Sequence, residues 1–257
     1  MRASVPLLWL ESEGEAAQVG RYIDLGACAA VYVGKSGHRR DVGDGYLTGR
    51  FHEYDVRRRE IAQVAVTASP ELTEIVQFGI PDIIVSAGPA PRAAIELTSH
   101  KPTYNNLFQR FPKLYRPSER GIPSYIFQLH DPATMVLGKA NLVAAAARAE
   151  MLNGTPCVVY LYEDHEVDSV HKLISDLIFA HLRNDKRWLR EFHAAARSRN
   201  EPLIARYDEK SFGGKTFEVH RDHVVANMRV VRNCDSFPEI ECGVNHCESA
   251  AAQRVTA

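Results

Sequence analysis

The stretch IPDIIVSAGPAPRAAIELTSHKP, residues 80–102, contains two short apolar runs that each carry an acid. Asp82 opens the first run, and Glu96 lies near the end of the second. Between them is a turn-forming segment rich in glycine and proline, SAGPAP. Apolar runs joined in this way predict two neighbouring β-strands. If the strands form a hairpin, the two carboxylates lie close together on one sheet.

Such a pair of carboxylates has a definite electrostatic requirement. Two acids held a few ångströms apart repel each other, so the pair needs a cation or a raised pKa. All-oxygen ligands suit Mg²⁺ or Mn²⁺, and Mg²⁺ commonly uses one or two carboxylates and retains several waters. The alternative is that Asp82 caps a turn and Glu96 forms an ordinary ion pair at a strand end. The spacing alone leaves both interpretations open.

Outward from this hairpin, the chain alternates predicted strands with predicted helices. A short strand, AAVYVG, leads into a glycine-rich loop that carries Arg39 and Arg40. Further strands are predicted from apolar runs bounded by turn residues, over 59–68, 73–85, 92–98, 123–131 and 156–163. Helices are predicted over 11–27, 105–115 and 140–154. Pro112 is expected to end or kink the second of these helices.

The charged segment 167–200 has the spacing of a helical region rather than of strands. The sequence therefore predicts an α/β core over residues 1–164. Residues 165–257 are predicted to form a mainly helical extension or small second lobe, suited to dimerisation or DNA recognition. The tail places Cys234, Cys242, His246 and Cys247 close together, but their spacing lacks the paired C-x₂-C pattern of zinc sites.

The dipeptide PD at 81–82, followed by ELT at 96–98, resembles the PD-(D/E)-x-K motif of a nuclease superfamily. That superfamily includes most type II restriction endonucleases. The predicted order of helix, three-strand meander, helix and strand over about 11–163 is similar to its αβββαβ core. The resemblance implies a central mixed sheet flanked by helices, with Asp82 and Glu96 as metal ligands. It also implies that the backbone carbonyl of Leu97 joins them.

The sequence departs from this motif at Thr98, where the family usually has a lysine. That lysine helps to orient or deprotonate the attacking water, and a threonine hydroxyl has no positive charge to offer. Lys101 and Gln109 are the candidates to assist the reaction in its place. Some members of the superfamily have an extra acid, for which Glu15 and Glu60 are the candidates here.

The segment that follows the second acid, residues 98–120, is rich in cations and amides. Lysine and arginine neutralise phosphates, and Asn, Gln and Arg bond to base edges in the major groove. The candidate DNA contacts of this segment and of the glycine-rich loop are Lys101, Asn105, Asn106, Arg110, Lys113, Arg39 and Arg40. The alternative is a solvated cationic helix and a solvated loop.

Composition sets wide limits on function. The 257 residues have a net charge of −1, which neither favours nor excludes nucleic acid. Five scattered cysteines favour a reducing compartment, and the short apolar runs predict a soluble, cytoplasmic protein without membrane spans. The GK segments lack the spacing of a P-loop, so nucleotide hydrolysis has no support.

Taken together, the sequence predicts a type II restriction endonuclease that uses Mg²⁺, or Mn²⁺, to cut double-stranded DNA. Cutting both strands of a palindrome favours a homodimer. Two alternatives remain. One is a structure-selective repair or defence nuclease, and the other is a catalytically inactive nucleic-acid-binding module of the same fold.

Overall fold

A mixed β-sheet organises the part of the chain that the computed structural model describes, residues 6–21, 23–34, 50–76, 80–98, 110–130 and 136–208. Within those ranges the sheet has eight strands. They are β1 Pro6–Leu10, β2 Ala30–Gly34, β3 Arg50–Asp55, β4 Glu60–Thr67, β5 Ile83–Ala87, β6 Ala90–Thr98, β7 Ser124–Leu129 and β8 Cys157–Tyr162. The prediction of an α/β protein with a central mixed sheet flanked by helices is confirmed.

Helices cover the sheet and connect its parallel strands. They are α1 Glu13–Val19, α2 Pro70–Val76, α3 Phe111–Glu119, α4 Val136–Asn153, α5 Val167–Arg183 and α6 Lys186–Asp208, with 3₁₀ turns at Leu25–Ala27 and Asp164–Glu166. Among these elements, no helix combines the length and apolar character needed to cross a bilayer.

The strand order β4-β3-β2-β1-β5-β6-β7-β8 divides the sheet into two halves. One half contains residues 6–67 and the other contains residues 83–162. They meet where β1 pairs with β5 in antiparallel fashion, whereas β1 and β2 are parallel. Strands β6, β7 and β8 are parallel, so α3 and α4 serve as their crossover helices. The N-terminal strand is therefore in the middle of the sheet.

Each face of the sheet has its own apolar core. On one face, α1, α5 and α6 pack their apolar residues against inward-facing positions of the strands such as Leu10, Ile95 and Phe127. On the other face, α2 packs Leu72 and Ile75 against Trp9 and other neighbours. Because side chains alternate along a strand, consecutive residues of β1, β5 and β6 serve different faces.

The predicted strand over 73–85 is wrong in its first half. Residues 70–76 form α2, because Ser69 caps its amino end and Pro70 occupies its first turn, where no amide donor is needed. Leu72, Ile75 and Val76 follow helical spacing, and all are buried. Among the described residues that follow α2, the strand begins at Ile83, the first residue of β5.

The predicted three-strand meander is also wrong in its first strand. The predicted strand 59–68 exists as β4, but it lies at the edge of the sheet and pairs with β3. The strand beside β5 on the side away from β6 is β1, which the sequence did not predict.

The remaining predicted elements are present with altered ends. The helix predicted over 11–27 is shortened to α1 and a 3₁₀ turn, and AAVYVG forms β2. The predictions at 123–131, 140–154 and 156–163 are confirmed as β7, α4 and β8. Pro112 does not end or kink a helix. It lies in the first turn of α3, and the part of that prediction over 105–109 is outside the described residues.

The region predicted as helical over 167–200 forms α5 and α6, separated at Asn184 in a left-handed conformation. Val170 and Ile174 of α5 and Phe192 of α6 belong to the same apolar core as the strands. A division of the chain at residue 164 remains a prediction. Residues 209–257, which include the cysteine–histidine cluster, are outside the described ranges.

A buried polar cluster joins these two helices to the sheet. The hydroxyl of Tyr125 in β7 lies 2.8 Å from Nε2 of His181 in α5 and 3.0 Å from Nε2 of His193 in α6. Since a hydroxyl has one hydrogen, it donates to one ring and accepts from the N–H of the other. Burial lowers the pKa of His181 to about 4, with His193 and Arg92 acting in the same direction. Burial, with Arg197, lowers the pKa of His193 to about 4 as well.

We expect this cluster to make the fold sensitive to acid. In the window from about 6.5 to about 4, the unfolded chain binds protons that the folded histidines do not, so stability is lost as pH falls. The largest loss of stability that protonation of His181 alone can cause is on the order of 3 kcal/mol. His181→Gln should therefore flatten the dependence of the urea midpoint on pH between about 7 and about 5, a range that covers the upper part of this window. His165→Gln, at an exposed position, is the control. Equal slopes for the wild type and His181→Gln would contradict this expectation.

Candidate metal centre

Three acids form a row across the middle of the sheet. The register pairs Leu10 with Ile83 and Ile83 with Ile95, so the next residues place Glu11 beside Asp82 and Asp82 beside Glu96. The amide of Glu11 donates to the Asp82 carbonyl at 3.2 Å, which continues the ladder between β1 and β5. Like charges in directly opposed positions destabilise a sheet. The row therefore requires compensation by cations or bound protons.

The hairpin predicted between Asp82 and Glu96 is present and links the two acids reciprocally. The amide of Asp82 donates to Oε2 of Glu96 at 3.3 Å, and the amide of Leu97 donates to Oδ2 of Asp82 at 2.5 Å. The turn is shorter than SAGPAP, because Ala87 pairs with Ala90 around Gly88 and Pro89. Gly88 supplies the positive φ that such a two-residue turn requires.

Glu11 is held in place by the close approach of a neighbouring strand. A Cβ at Gly34, the last residue of β2, would lie 2.4 Å from the carbonyl oxygen of Glu11. Since real Cβ atoms do not come that close to an oxygen, glycine is required there. The backbone of Glu11 is thus fixed on one side by β2 and on the other by Asp82.

A fourth acid, Glu15, approaches the row from α1. Ser12 caps this helix by accepting the Glu15 amide at 3.3 Å, which places Glu15 in the first turn. Glu11, Glu15 and Asp82 each offer one carboxylate oxygen, and these three oxygens lie within 4.8 Å of one another. Of the two extra acids that the sequence suggested, Glu15 is therefore at the site. Glu60 lies in the edge strand β4, opposite Asp55.

Two cations from α3 face this group of acids. Nζ of Lys113 lies 3.3 Å from both carboxylate oxygens of Glu96 and 3.4 Å from Oε2 of Glu11. Nη1 of Arg110 lies 3.1 Å from Oε1 of Glu96, 2.9 Å from the Leu97 carbonyl oxygen and 2.9 Å from Oγ1 of Thr98. Arg110 and Lys113 are three positions apart at the start of α3, so both reach the same side.

Burial and like charge dominate the electrostatics of the acids. Burial raises the pKa of Asp82 well above its ordinary value, and Glu96 raises it further, whereas Lys113 opposes them. Burial also raises the pKa of Glu96 against the opposing effect of Lys113 and Arg110. The pKa of Glu15 is raised by burial and then by Glu11. Lys113 opposes the effect of burial at Asp82, whereas both Lys113 and Arg110 oppose it at Glu96.

Lys113 remains charged in this environment. Burial would lower the pKa of its ammonium group, but Glu96, Glu11 and Asp82 outweigh burial and hold the pKa above its ordinary value. Lys113 therefore keeps its proton at neutral pH. It can stabilise negative charge, but it is poorly suited to act as a general base.

The donor set fits a hard divalent cation. Among the described residues, these four carboxylates lie beside two cations, Arg110 and Lys113, in a partly buried place. Oxygen donors of this kind are the ligands of Mg²⁺ and Mn²⁺. Glu11, Glu15 and Asp82 are the residues that would hold such an ion. Both oxygens of Glu96 and the carbonyl of Leu97 already contact Lys113 or Arg110.

Several predicted site residues can be located and others cannot. Asp82, Glu96, Leu97 and Thr98 are together, and Thr98 is buried. Arg110 and Lys113 were predicted as DNA contacts, and both side chains lie against Glu96. The predicted residues Lys101, Gln109, Asn105, Asn106, Arg39 and Arg40 are outside the described residues.

Sequence reasoning missed Glu11. Its signal resembles that of the other two acids, because PLLWL is an apolar run of strand length followed at once by an acid. The strand that pairs with this run, β5, is far away in the sequence. No neighbouring segment therefore indicates that Glu11 belongs to a site with Asp82.

Comparison of the chain with protein-family models, with curated proteins and with solved structures gave no match.

Proposed function

We propose that this chain is an Mg²⁺-dependent endonuclease of the PD-(D/E)-x-K type that hydrolyses phosphodiester bonds of double-stranded DNA. The observation that carries the proposal is the row Glu11–Asp82–Glu96 across three adjacent strands, faced by Lys113. Strands β1, β5 and β6 would correspond to the meander of that fold. Helix α3 and the parallel strand β7 follow β6 as the later helix and strand of that core do, whereas α1, β2, β3, β4 and α2 lie between β1 and β5 in the sequence.

The chain's own residues divide the work of phosphodiester hydrolysis. When bound, the ion would lower the pKa of water and neutralise charge on the phosphate. Lys113 holds a fixed positive charge beside Glu96, where negative charge develops during the reaction. It would supply the charge that Thr98 lacks, in place of Lys101 or Gln109.

Glu96 would act mainly as the anchor of these cations rather than as a freely available metal ligand. Lys113 contacts both of its oxygens, and Arg110 contacts one of them. This interpretation modifies the sequence-based ligand set of Asp82, Glu96 and the Leu97 carbonyl. Asp82 is common to both sets.

Double-stranded DNA as substrate and a homodimeric assembly remain parts of this proposal. Two copies related by a two-fold axis would present one site to each strand of a palindrome. A structure-selective nuclease and an inactive DNA-binding module of the same fold are the competing functions.

Plasmid DNA incubated with the protein and increasing Mg²⁺ or Mn²⁺ tests the proposal. We expect discrete fragments from the wild type and none from Glu96→Gln, because the amide cannot hold the two cations of α3 in place. Glu74→Gln is the control, because Glu74 pairs with Arg120 on the surface. Smearing would indicate a nuclease without sequence specificity. Binding to DNA in a gel-shift assay with no cleavage at any ion concentration would exclude the enzyme.

A further inference from the structure

We propose that Arg110 is a built-in cation that fills an oxygen cradle which would otherwise take a second divalent ion. The cradle consists of Oε1 of Glu96, the carbonyl oxygen of Leu97 and Oγ1 of Thr98. The inference deepens the proposed function, on which it rests for the first metal ion. It predicts that the intact protein binds a single divalent ion per site.

The contacts of Arg110 resemble ion coordination more than ordinary hydrogen bonding. One nitrogen, Nη1, lies 3.1, 2.9 and 2.9 Å from three oxygens of consecutive residues at the end of β6. That nitrogen has two hydrogens, so it cannot form three separate well-aligned bonds. A carboxylate, a carbonyl and a hydroxyl are also the donor types that hard cations prefer. A positive charge at the centre of this set satisfies all three.

The contact with Arg110 explains why a threonine, and not a lysine, suits position 98. A lysine at position 98 would bring a second cation to the place that Nη1 of Arg110 occupies, and the two charges would repel. The hydroxyl of Thr98 instead accepts from Arg110 at 2.9 Å. Arg110 and Thr98 therefore form a matched pair, in which the guanidinium donates and the hydroxyl accepts.

The second metal position would be lost as a consequence. Two-metal sites place two ions about 3.5–4 Å apart, where they stabilise the attacking and leaving oxygens. Here the guanidinium of Arg110 holds one of the two positive charges permanently. Glu11, Glu15 and Asp82 are left to hold the single exchangeable ion.

The stoichiometry of Mn²⁺ binding, measured by electron paramagnetic resonance of the free ion, tests this inference without DNA. Arg110→Ala should bind one more Mn²⁺ per chain than the wild type. Arg120→Ala, which removes an exposed arginine at the opposite end of α3, should match the wild type. Adding Thr98→Val to Arg110→Ala removes one cradle oxygen and should weaken the added site. Arg110→Gln is made in parallel, because its amide can still donate to Glu96 if the alanine variant does not fold.

The outcomes separate this inference from the proposed function. Equal stoichiometry in the wild type and in whichever Arg110 variant folds would overturn the inference, whatever the wild type binds. If the wild type binds no Mn²⁺ and the variant binds one ion, the cradle is a cation site. In that case the metal-dependent function would be the part that fails. One ion in the wild type and two in the variant support both.

Discussion

Asp82→Asn is expected to abolish Mg²⁺-dependent DNA cleavage while it raises the Tm of the metal-free protein. The carboxylate of Asp82 is the acid common to every ligand set, so we expect cleavage to fall by about 1,000-fold or more. Stability should move in the opposite direction. Burial and Glu96 raise the pKa of Asp82, so ionising it is unfavourable in the folded state.

The sign of the stability effect follows from linkage. Above the ordinary carboxyl pKa of 3.8, the folded state retains a proton on Asp82 that the unfolded chain has lost, so stability falls as pH rises through that window. Asparagine carries no such charge, and its side-chain oxygen can still accept the Leu97 amide. About 1 kcal/mol would shift Tm by ~2–4 °C in a domain of this size.

Plasmid cleavage in Mg²⁺ and thermal unfolding in EDTA, both at pH 8 (about four units above the pKa of an ordinary aspartate), measure the two effects on one preparation of the protein. Asp176→Asn, at an exposed position of α5, is the matched control. A lower Tm for Asp82→Asn would show that the ionised carboxylate of Asp82 does not destabilise the folded state. Retained cleavage would exclude Asp82 as a metal ligand.

Lys113→Met is expected to slow cleavage while it tightens the binding of Mn²⁺. Removing one preorganised charge from a transition state typically lowers kcat by about 10²–10³-fold. The same change removes a positive charge 3.4 Å from Glu11 and 3.3 Å from Glu96, which makes the acid group more attractive to a cation. Substitution of a residue that only held the metal in place would instead lower both the rate of cleavage and the affinity for Mn²⁺.

Single-turnover cleavage and Mn²⁺ titration distinguish these roles. Lys172→Met, which replaces an exposed lysine of α5, serves as the control and should leave both unchanged. If Lys113→Met cleaves at the wild-type rate, another group supplies the charge that Thr98 lacks. Lys101, which the sequence first suggested, would then be the next residue to test.

The hairpin and its two acids could be predicted because all of their signals are local. Gly88 and Pro89 mark the turn, and the apolar runs on both sides give the strands. The order of β7, α4 and β8 was predictable for the same reason, because each element has its own composition and its own turn residues. The threonine at position 98 also indicated that the positive charge of the motif's lysine is missing from the strand.

The rest of the site depends on contacts between distant parts of the chain. Glu11 reaches Asp82 only because β1 inserts between β2 and β5. Likewise, the sequence favoured Lys101 because it is near Thr98 along the chain. The helical geometry of α3 instead brings Lys113 to Glu96. The strand predicted over 73–85 failed because the buried face of α2 runs into β5 with similar apolar residues.

The junction between β1 and β5 also has a consequence for how the protein assembles. Each half of the sheet can be built from strands close in sequence, whereas the β1–β5 ladder closes the longest loop and is expected to form late. That late step is also the one that brings Glu11 to Asp82. The folding barrier thus includes electrostatic repulsion between carboxylates, and divalent ions or bound protons would lower it. The ion proposed for this site would then also act as a folding cofactor for this chain.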